Sequence, residues 1–309
     1  LSAMKTLVTG GTGLVGAALQ DVATDYEHDI TFLSSKDCNL NDLKSFPCWL
    51  SAVEPDAVIH LAANVGGLFK NMSQRVRMFE ENINMNTGVV AACSQAGVRR
   101  FVGMLSTCIF PDATTYPISE DMIHDGAPHD SNYGYAYAKR MLDVHCRTNR
   151  DQYGLDYNCI IPTNIYGEND NYNLEDAHVI PALIHKCYIA KQINKPFVVA
   201  GSGKPLRQFI YAKDLARAIL DLLPHTQSNV IVSPTEEHSI GDVAKIIANQ
   251  FGYADKLVFD TDQSDGQFKK TADNSKLLSI LPNFDFTDLD RGLVNNIAYF
   301  KDNFESIRK

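Results

Sequence analysis

The stretch "TGGTGLVG", Thr9 to Gly16, limits this chain more than any other. It sets Gly10, Gly13 and Gly16 three residues apart, between the apolar run "KTLVTGG" and the helically spaced "GLVGAALQDVA". A tight turn, a close backbone approach and close helix packing each favour a residue with no Cβ. The helix start that follows offers unpaired N–H groups and a partial positive charge. Strand, glycine loop and helix in that order form a cradle for the phosphates of a dinucleotide. Gly10, Gly11, Thr12, Gly13, Leu14, Val15 and Gly16 are expected to line it.

Further strand and helix signals alternate along the first half. "DITFLSS", "DAVIHLAA", "RFVGMLS" and "DYNCIIPTNIYG" read as strands, the last stopped by Pro162. "NINMNTGVVAACSQAG" reads as a helix ending at Gly97, and "GYAYAKRMLDVHCRTNRDQYG" as one ending near Gly154. "DAVIHLAA" is apolar without alternation, as in a parallel sheet covered on both faces. The order implies an α/β chain with a doubly wound parallel sheet. After about residue 165 the pattern loosens. "HVIPALIHKCYIAK" is helical despite Pro181, "FVVAGSG" a strand, "RQFIYAKDLARAILDLL" a strand and helix, and "SIGDVAKIIANQFG" a helix capped by Ser239. Residues 4–165 are expected to form the dinucleotide domain, with returning segments near 205–232, and 166–309 mainly a smaller substrate domain.

A chain of 309 residues, 45% hydrophobic, supports one large core or two linked domains. It holds no apolar run of membrane-spanning length. "LSAMKTLVTG" lacks the layout of a signal peptide, and Leu1, Ser2 and Ala3, ahead of Met4, are read as an expression remnant. A formal net charge of −9 argues against binding nucleic acid or an anionic membrane. The seven cysteines are scattered, with no C-x-x-C pair. No metal site or disulfide framework is expected, and a cytoplasmic location is.

The second strand end selects the dinucleotide. NAD calls for a carboxylate there, on the ribose 2′-OH. Here "FLSSKD" brings Ser34, Ser35 and Lys36 first, two hydroxyls and a cation suited to a 2′-phosphate, so NADP(H) is expected. The alternative is that Asp37 takes the ribose and Lys36 is a solvated loop residue. Leu61, Ala62 and Ala63 follow His60 at the third strand end and are expected along the cofactor. His60 itself reads as a packed histidine.

In "GYAYAKR", Tyr135 and Lys139 are four apart and share a helix face. The lysine charge is expected to lower the phenol pKa, making Tyr135 a proton donor to a ketone reduced by hydride. Tyr137 falls on another face. A strand end carrying Ser106, Thr107 and Cys108 precedes this pair.

Glycine loop, serine-bearing strand end and YxxxK together resemble the extended short-chain dehydrogenase/reductase family, from Met4 to the C-terminus. "HLAANVGGLFKNM", "LSTCIFPDATTYPISE", "IPTNIYGENDNYN", "HVIPALIHK", "RQFIYAKDLA" and "SDGQFKKTA" resemble its GDP-4-keto-6-deoxy-D-mannose 3,5-epimerase-4-reductases. The resemblance implies a Rossmann sheet and a GDP-sugar substrate. It implies that Ser106 hydrogen-bonds the C4 carbonyl beside Tyr135, and that Cys108 and His178 are the acid/base pair for epimerisation, with His178 also against the cofactor. Thiol and imidazole both exchange protons near neutral pH. It further implies Pro162, Thr163, Asn164 and Ile165 beside the nicotinamide, and substrate contacts at Asn164, Lys186, Arg207 and Asp265. It implies a homodimer, with helices near 78–96 and 135–153 as candidates for a four-helix interface. Ala200 departs from the pattern, which often has tryptophan before the glycine that is Gly201 here.

Three other readings compete. A 4,6-dehydratase would carry an acidic pair where Cys108, Ile109 and Phe110 stand. A nucleotide-sugar 4-epimerase needs no Cys/His pair. A non-catalytic NADPH-binding module would not need Ser106, Tyr135, Lys139, Cys108 and His178 together.

Overall fold

The computed structural model describes residues 4–309 except 43, 226, 227, 264, 266 and 267. Leu1, Ser2 and Ala3 lie outside the described residues. Strands β1 (Lys5–Thr9), β2 (Asp29–Leu33), β3 (Ala57–His60), β4 (Arg100–Met104) and β5 (Asp156–Pro162) alternate with α1 (Leu14–Ala23), α2 (Phe46–Val53), α3 (Leu68–Ser73), α4 (Arg75–Gln95) and α5 (Tyr133–Tyr153). The later elements are β6 (Asn164–Tyr166), α6 (Val179–Gln192), β7 (Phe197–Ala200), β8 (Leu206–Arg207), β9 (Phe209–Tyr211), α7 (Ala212–Leu222) and β10 (Val230–Val232). They end with β11 (His238–Ser239), α8 (Ile240–Gln250), β12 (Leu257–Asp260), α9 (Ser275–Ile280) and α10 (Leu289–Asp302).

Six parallel strands form the main sheet in the order β10-β5-β4-β3-β1-β2. Its strands are apolar without alternation because both faces are covered. Leu7, Val58, Phe101 and Ile161 pack into one core, and their neighbours Val8, Ile59, Val102 and Ile160 into the opposite one. Chain order reverses direction at β1 and β3. Sheets of this kind bind ligands outside the carboxyl ends of the strands at such a switch point.

A third core holds Tyr166, Tyr172, Ile184, Phe197, Phe209, Val243 and Phe300. Around it stand three short pairs, β6 with β9, β7 with β12 and β8 with β11. Local signals end and start elements as their chemistry requires. Gly154 closes α5 at φ 65°, a left-handed position that favours glycine. Ser239 Oγ accepts from the Asp242 amide at 3.0 Å and caps α8. Pro181 sits in the first turn of α6, where its missing N–H leaves no helix bond unmade. Helix α4 starts at Arg75, earlier than the apolar spacing from Asn82 predicts. Met78, one turn before Asn82, is buried there, and two surface ion pairs flank it. Arg75 binds Asp130 at 2.8 Å and Arg77 binds Glu81, one turn on, at 2.6 Å.

Candidate active site

The glycine loop joins β1 to α1 at the switch point. Gly10 has φ +75°, and a Cβ there would lie 2.7 Å from the Ala62 amide nitrogen. At Gly16 a Cβ would lie 2.2 Å from the Gly10 carbonyl oxygen. Neither position admits a side chain. Gly13 differs, since its Cβ would meet only the Gly10 carbonyl, at an ordinary 3.4 Å. Its outer side is therefore an open cradle. Gly13 caps α1 without a side-chain hydrogen bond, and the first turn carries no acid. That leaves amide donors for an anion beside Gly11, Thr12, Leu14 and Val15.

At the end of β2, Ser34 donates to the Asp37 carboxylate from its amide (2.8 Å) and hydroxyl (2.6 Å). These bonds hold the Asp37 carboxyl below its ordinary pKa. Asp37 is thus engaged within its own turn, while Ser35 and Lys36 are exposed. At the end of β3, His60 is buried between Thr9 Oγ1 (2.7 Å) and Asn86 Oδ1 (3.1 Å). Burial pulls its pKa down to about 3, so it packs as a neutral ring. Leu61, Ala62 and Ala63, all half-buried, run past the loop, with the Leu61 amide on the Thr9 carbonyl at 3.1 Å.

The serine-bearing segment leaves β4 at Met104. Ser106 caps a single helical turn, Thr107–Ile109, accepting from the Cys108 amide. Tyr135 and Lys139 are buried together on α5. Lys139 Nζ donates to the Met104 carbonyl at 2.8 Å and stands 5.8 Å from the Tyr135 ring centroid. Tyr137 turns elsewhere, its ring 4.7 Å from that of Tyr133. One expectation is corrected. Burial, and then the nearby Cys108, raise the Tyr135 phenol well above its ordinary range, and burial pulls Lys139 down to about 8. Desolvation is the largest influence on the phenol, because both residues are buried together in the packed interior. The phenol stays protonated, as a donor must. Burial also pushes the Cys108 thiol up, opposed by Lys270, Ser106 and Lys139.

His178 caps α6. The protein packed around it lowers its pKa, with Asp176 opposing. The Gly66–Gly67 loop docks just before it. The Gly67 amide donates to the Asp176 carbonyl at 2.8 Å, and a Cβ on Gly67 would lie 2.8 Å from the Ala177 carbonyl oxygen.

Residues 6–233 match the NAD dependent epimerase/dehydratase family. The chain belongs to that family. This epimerase/dehydratase is similar to GDP-L-fucose synthase from Dictyostelium discoideum, 48% identical over 100% of this chain and 98% of that protein. It is 43% identical to a probable GDP-L-fucose synthase from Drosophila melanogaster, over 99% of each chain. A crystal structure of a GDP-L-fucose synthetase from Naegleria fowleri bound to NADP superimposes with a TM-score of 0.92. It is 42% identical, covering 98% of this chain and 94% of that one.

The remaining expected contacts of this epimerase/dehydratase fall on separate segments. Pro162 ends β5. Thr163 Oγ1 is buried without a hydrogen-bond partner, Asn164 Nδ2 donates to the Gln208 carbonyl at 3.0 Å, and Ile165 is half-buried. Arg207 on β8 is half-buried and donates to the Leu206 carbonyl at 2.7 Å. Asp265 is exposed and holds the Ser202 amide (2.6 Å) and hydroxyl (2.7 Å). Lys186 is exposed on α6, bordering a cavity with Ile189, Ile193 and Val198. Two buried or half-buried cations near Cys108 escaped the sequence reading. Lys270 is half-buried with its charge felt at Cys108, whereas its neighbour Lys269 pairs with Glu237 at 3.3 Å. The pair of lysines in "SDGQFKKTA" was the only signal, and it could not say which one turns inward. The other is Arg140. Among the described residues no group of three or more His, Cys, Asp or Glu could hold a metal ion, and no helix is long and apolar enough to cross a membrane.

Proposed function

We propose that this chain converts GDP-4-keto-6-deoxy-D-mannose to GDP-L-fucose, by epimerisation at C3 and C5 and reduction of the C4 ketone with NADPH. The observation that carries the reading is the turn that sets Cys108 beside Ser106, with the charge of Cys108 felt at both Tyr135 and Lys139. A reductase needs the serine, tyrosine and lysine alone; the thiol adds proton exchange at carbon. Similarity to GDP-L-fucose synthases over the full chain supports the same reading.

The residues fit NADP(H). The cradle at Gly13 and the first-turn amides suit the pyrophosphate, exposed Ser35 and Lys36 suit a 2′-phosphate, and Leu61–Ala63, Pro162–Ile165, Lys139 and His178 would line the rest. The bound cofactor supplies the hydride for C4. Ser106 Oγ orients the C4 carbonyl, and Tyr135, kept protonated by burial, gives its proton to that oxygen. The C4 ketone acidifies the protons at C3 and C5. Cys108 and His178 take a proton from one face and return one to the other. Asn164, Lys186, Arg207 and Asp265 contact the GDP-sugar, the two cations matching its diphosphate. Residues 4–165, with returning segments near 205–232, carry the cofactor and 166–309 mainly the substrate.

The chain acts in the cytoplasm as a homodimer. Seven free cysteines support the compartment. Val76 and Phe79 on α4, with Tyr133, Met141 and Val144 on α5, are exposed apolar residues that support a helix-paired interface. The test is incubation of the keto sugar with NADPH and product analysis by NMR. Formation of GDP-L-fucose with one NADPH consumed per product is expected. Sugar interconversion without net consumption indicates a 4-epimerase, and no turnover a binding module.

A further inference from the structure

Arg140 is a buried cation that the reaction above leaves without a task. It is 3% exposed, and its Nη2 is buried with no hydrogen-bond partner. None of the ion pairs among the described residues includes it. Burying a charge without a counterion is costly, and an apolar side chain of similar volume would fill the space without that cost.

Its contacts suggest what is gained. Arg140 Nε donates to the Ile109 carbonyl at 2.6 Å, one residue beyond Cys108. The guanidinium carbon lies 5.3 Å from the Tyr137 ring centroid. Lys139, the preceding residue, donates to the Met104 carbonyl at 2.8 Å. Adjacent cations on α5 therefore grip both ends of the segment from Met104 to Ile109, which contains Ser106 and Cys108. The same helix carries Tyr135.

The geometry points to Arg140 as a positioning residue for Cys108: it pins the Thr107–Ile109 turn against α5 and holds an unpaired positive charge behind the thiol. This rests on the reading of Cys108 as a proton-exchange group. The groups that act on Cys108 are Lys270 on the 268–272 segment, Ser106, and Lys139 on α5. Cys108 in turn acts on Tyr135, and Lys270 is itself influenced by Arg207 and Asp112. Burial lowers the Arg140 pKa, opposed first by Tyr137 and then by Cys108. Removing the charge at Arg140 disfavours the thiolate, and removing the donor frees the turn.

The test is the pH profile of iodoacetamide alkylation at Cys108, resolved by peptide mass spectrometry on the full chain. Deuterium wash-in at C3 and C5 and NADPH affinity are measured beside it. Arg140→Gln keeps an N–H donor and loses the charge. Its alkylation midpoint moves up by about one pH unit, wash-in at neutral pH slows roughly tenfold, and NADPH affinity is unchanged. Arg140→Met does the same or more, and Arg140→Lys recovers most of the wild-type midpoint. A wild-type midpoint in Arg140→Gln overturns the proposal, and that variant decides if Arg140→Met does not fold. Alkylation needs no substrate. A wild-type protein that fails to turn over the keto sugar would therefore sink the functional reading and leave the coupling of Arg140 to Cys108 to be judged by its own profile.

Discussion

The Gly67 amide donates to the Asp176 carbonyl at 2.8 Å, tying the loop after β3 to the segment that delivers His178. A methyl group on Gly67 would press on the Ala177 carbonyl oxygen at 2.8 Å, closer than real Cβ atoms come. Gly67→Ala therefore has to push the His178 segment away. Misplacement of a reacting group by about 1 Å can cost on the order of 10²-fold. Deuterium wash-in at C3 and C5 is expected to slow by about 10- to 100-fold. Wild-type wash-in would remove this loop from the positioning of His178.

Tyr135→Phe separates reduction from epimerisation. In the proposed mechanism the phenol is the proton donor to the C4 oxygen, whereas Cys108 and His178 serve the carbons on either side. The variant is expected to lose about 10²–10⁴-fold in NADPH oxidation and still exchange protons at C3 and C5. NMR of the keto sugar in D₂O reads the exchange directly. A folded, substrate-binding variant with no exchange would merge the two groups into one.

Cys108→Ser changes little volume, so fold and NADPH binding are expected to persist. A hydroxyl has a far higher pKa than a thiol and serves poorly as a base. Epimerisation is expected to fall by about 10²–10⁴-fold. Ser106 and Tyr135 remain, so the un-epimerised ketone becomes reducible to an abnormal GDP-6-deoxyhexose, visible by NMR. GDP-L-fucose formed at the wild-type rate would return Cys108 to the role of a packed thiol.

Asp170 makes stability depend on pH. Its side chain is 4% exposed, one oxygen accepts from the Asn171 amide at 2.7 Å, and the other has no partner. Burial pushes the carboxyl up to about 7, from an ordinary 3.8. Between these values the folded protein keeps a proton that the unfolded chain has lost. The folded state is therefore penalised progressively as pH rises through that window, and fully above it. Asp170→Asn removes the penalty. Urea unfolding is expected to show the variant more stable than wild type by about 1–4 kcal/mol near pH 8, with the gap closing towards pH ~4. A gap independent of pH would mean that Asp170 is already ionised in the folded protein.

Much of this protein is legible from short range. Gly16 is demanded by the backbone of Gly10 and Gly11, and Gly10 and Gly154 by a positive φ. The four-residue offset of Tyr135 and Lys139 puts them on one face of any helix. Strands buried on both sides read as unbroken apolar runs wherever they occur. These signals act over one turn or one strand, so the amino-acid order suffices.

Tertiary structure decided what depends on neighbours brought in from elsewhere. Nothing in "KK" distinguishes Lys270, half-buried and felt at Cys108, from Lys269, paired with Glu237. Lys139 lies one residue from Arg140, yet only the packed structure shows each spent on a carbonyl of the Cys108 segment. The phenol of Tyr135 rises rather than falls because it is buried. Desolvation grows with everything packed around a group, and that surrounding is assembled from segments far apart in the chain.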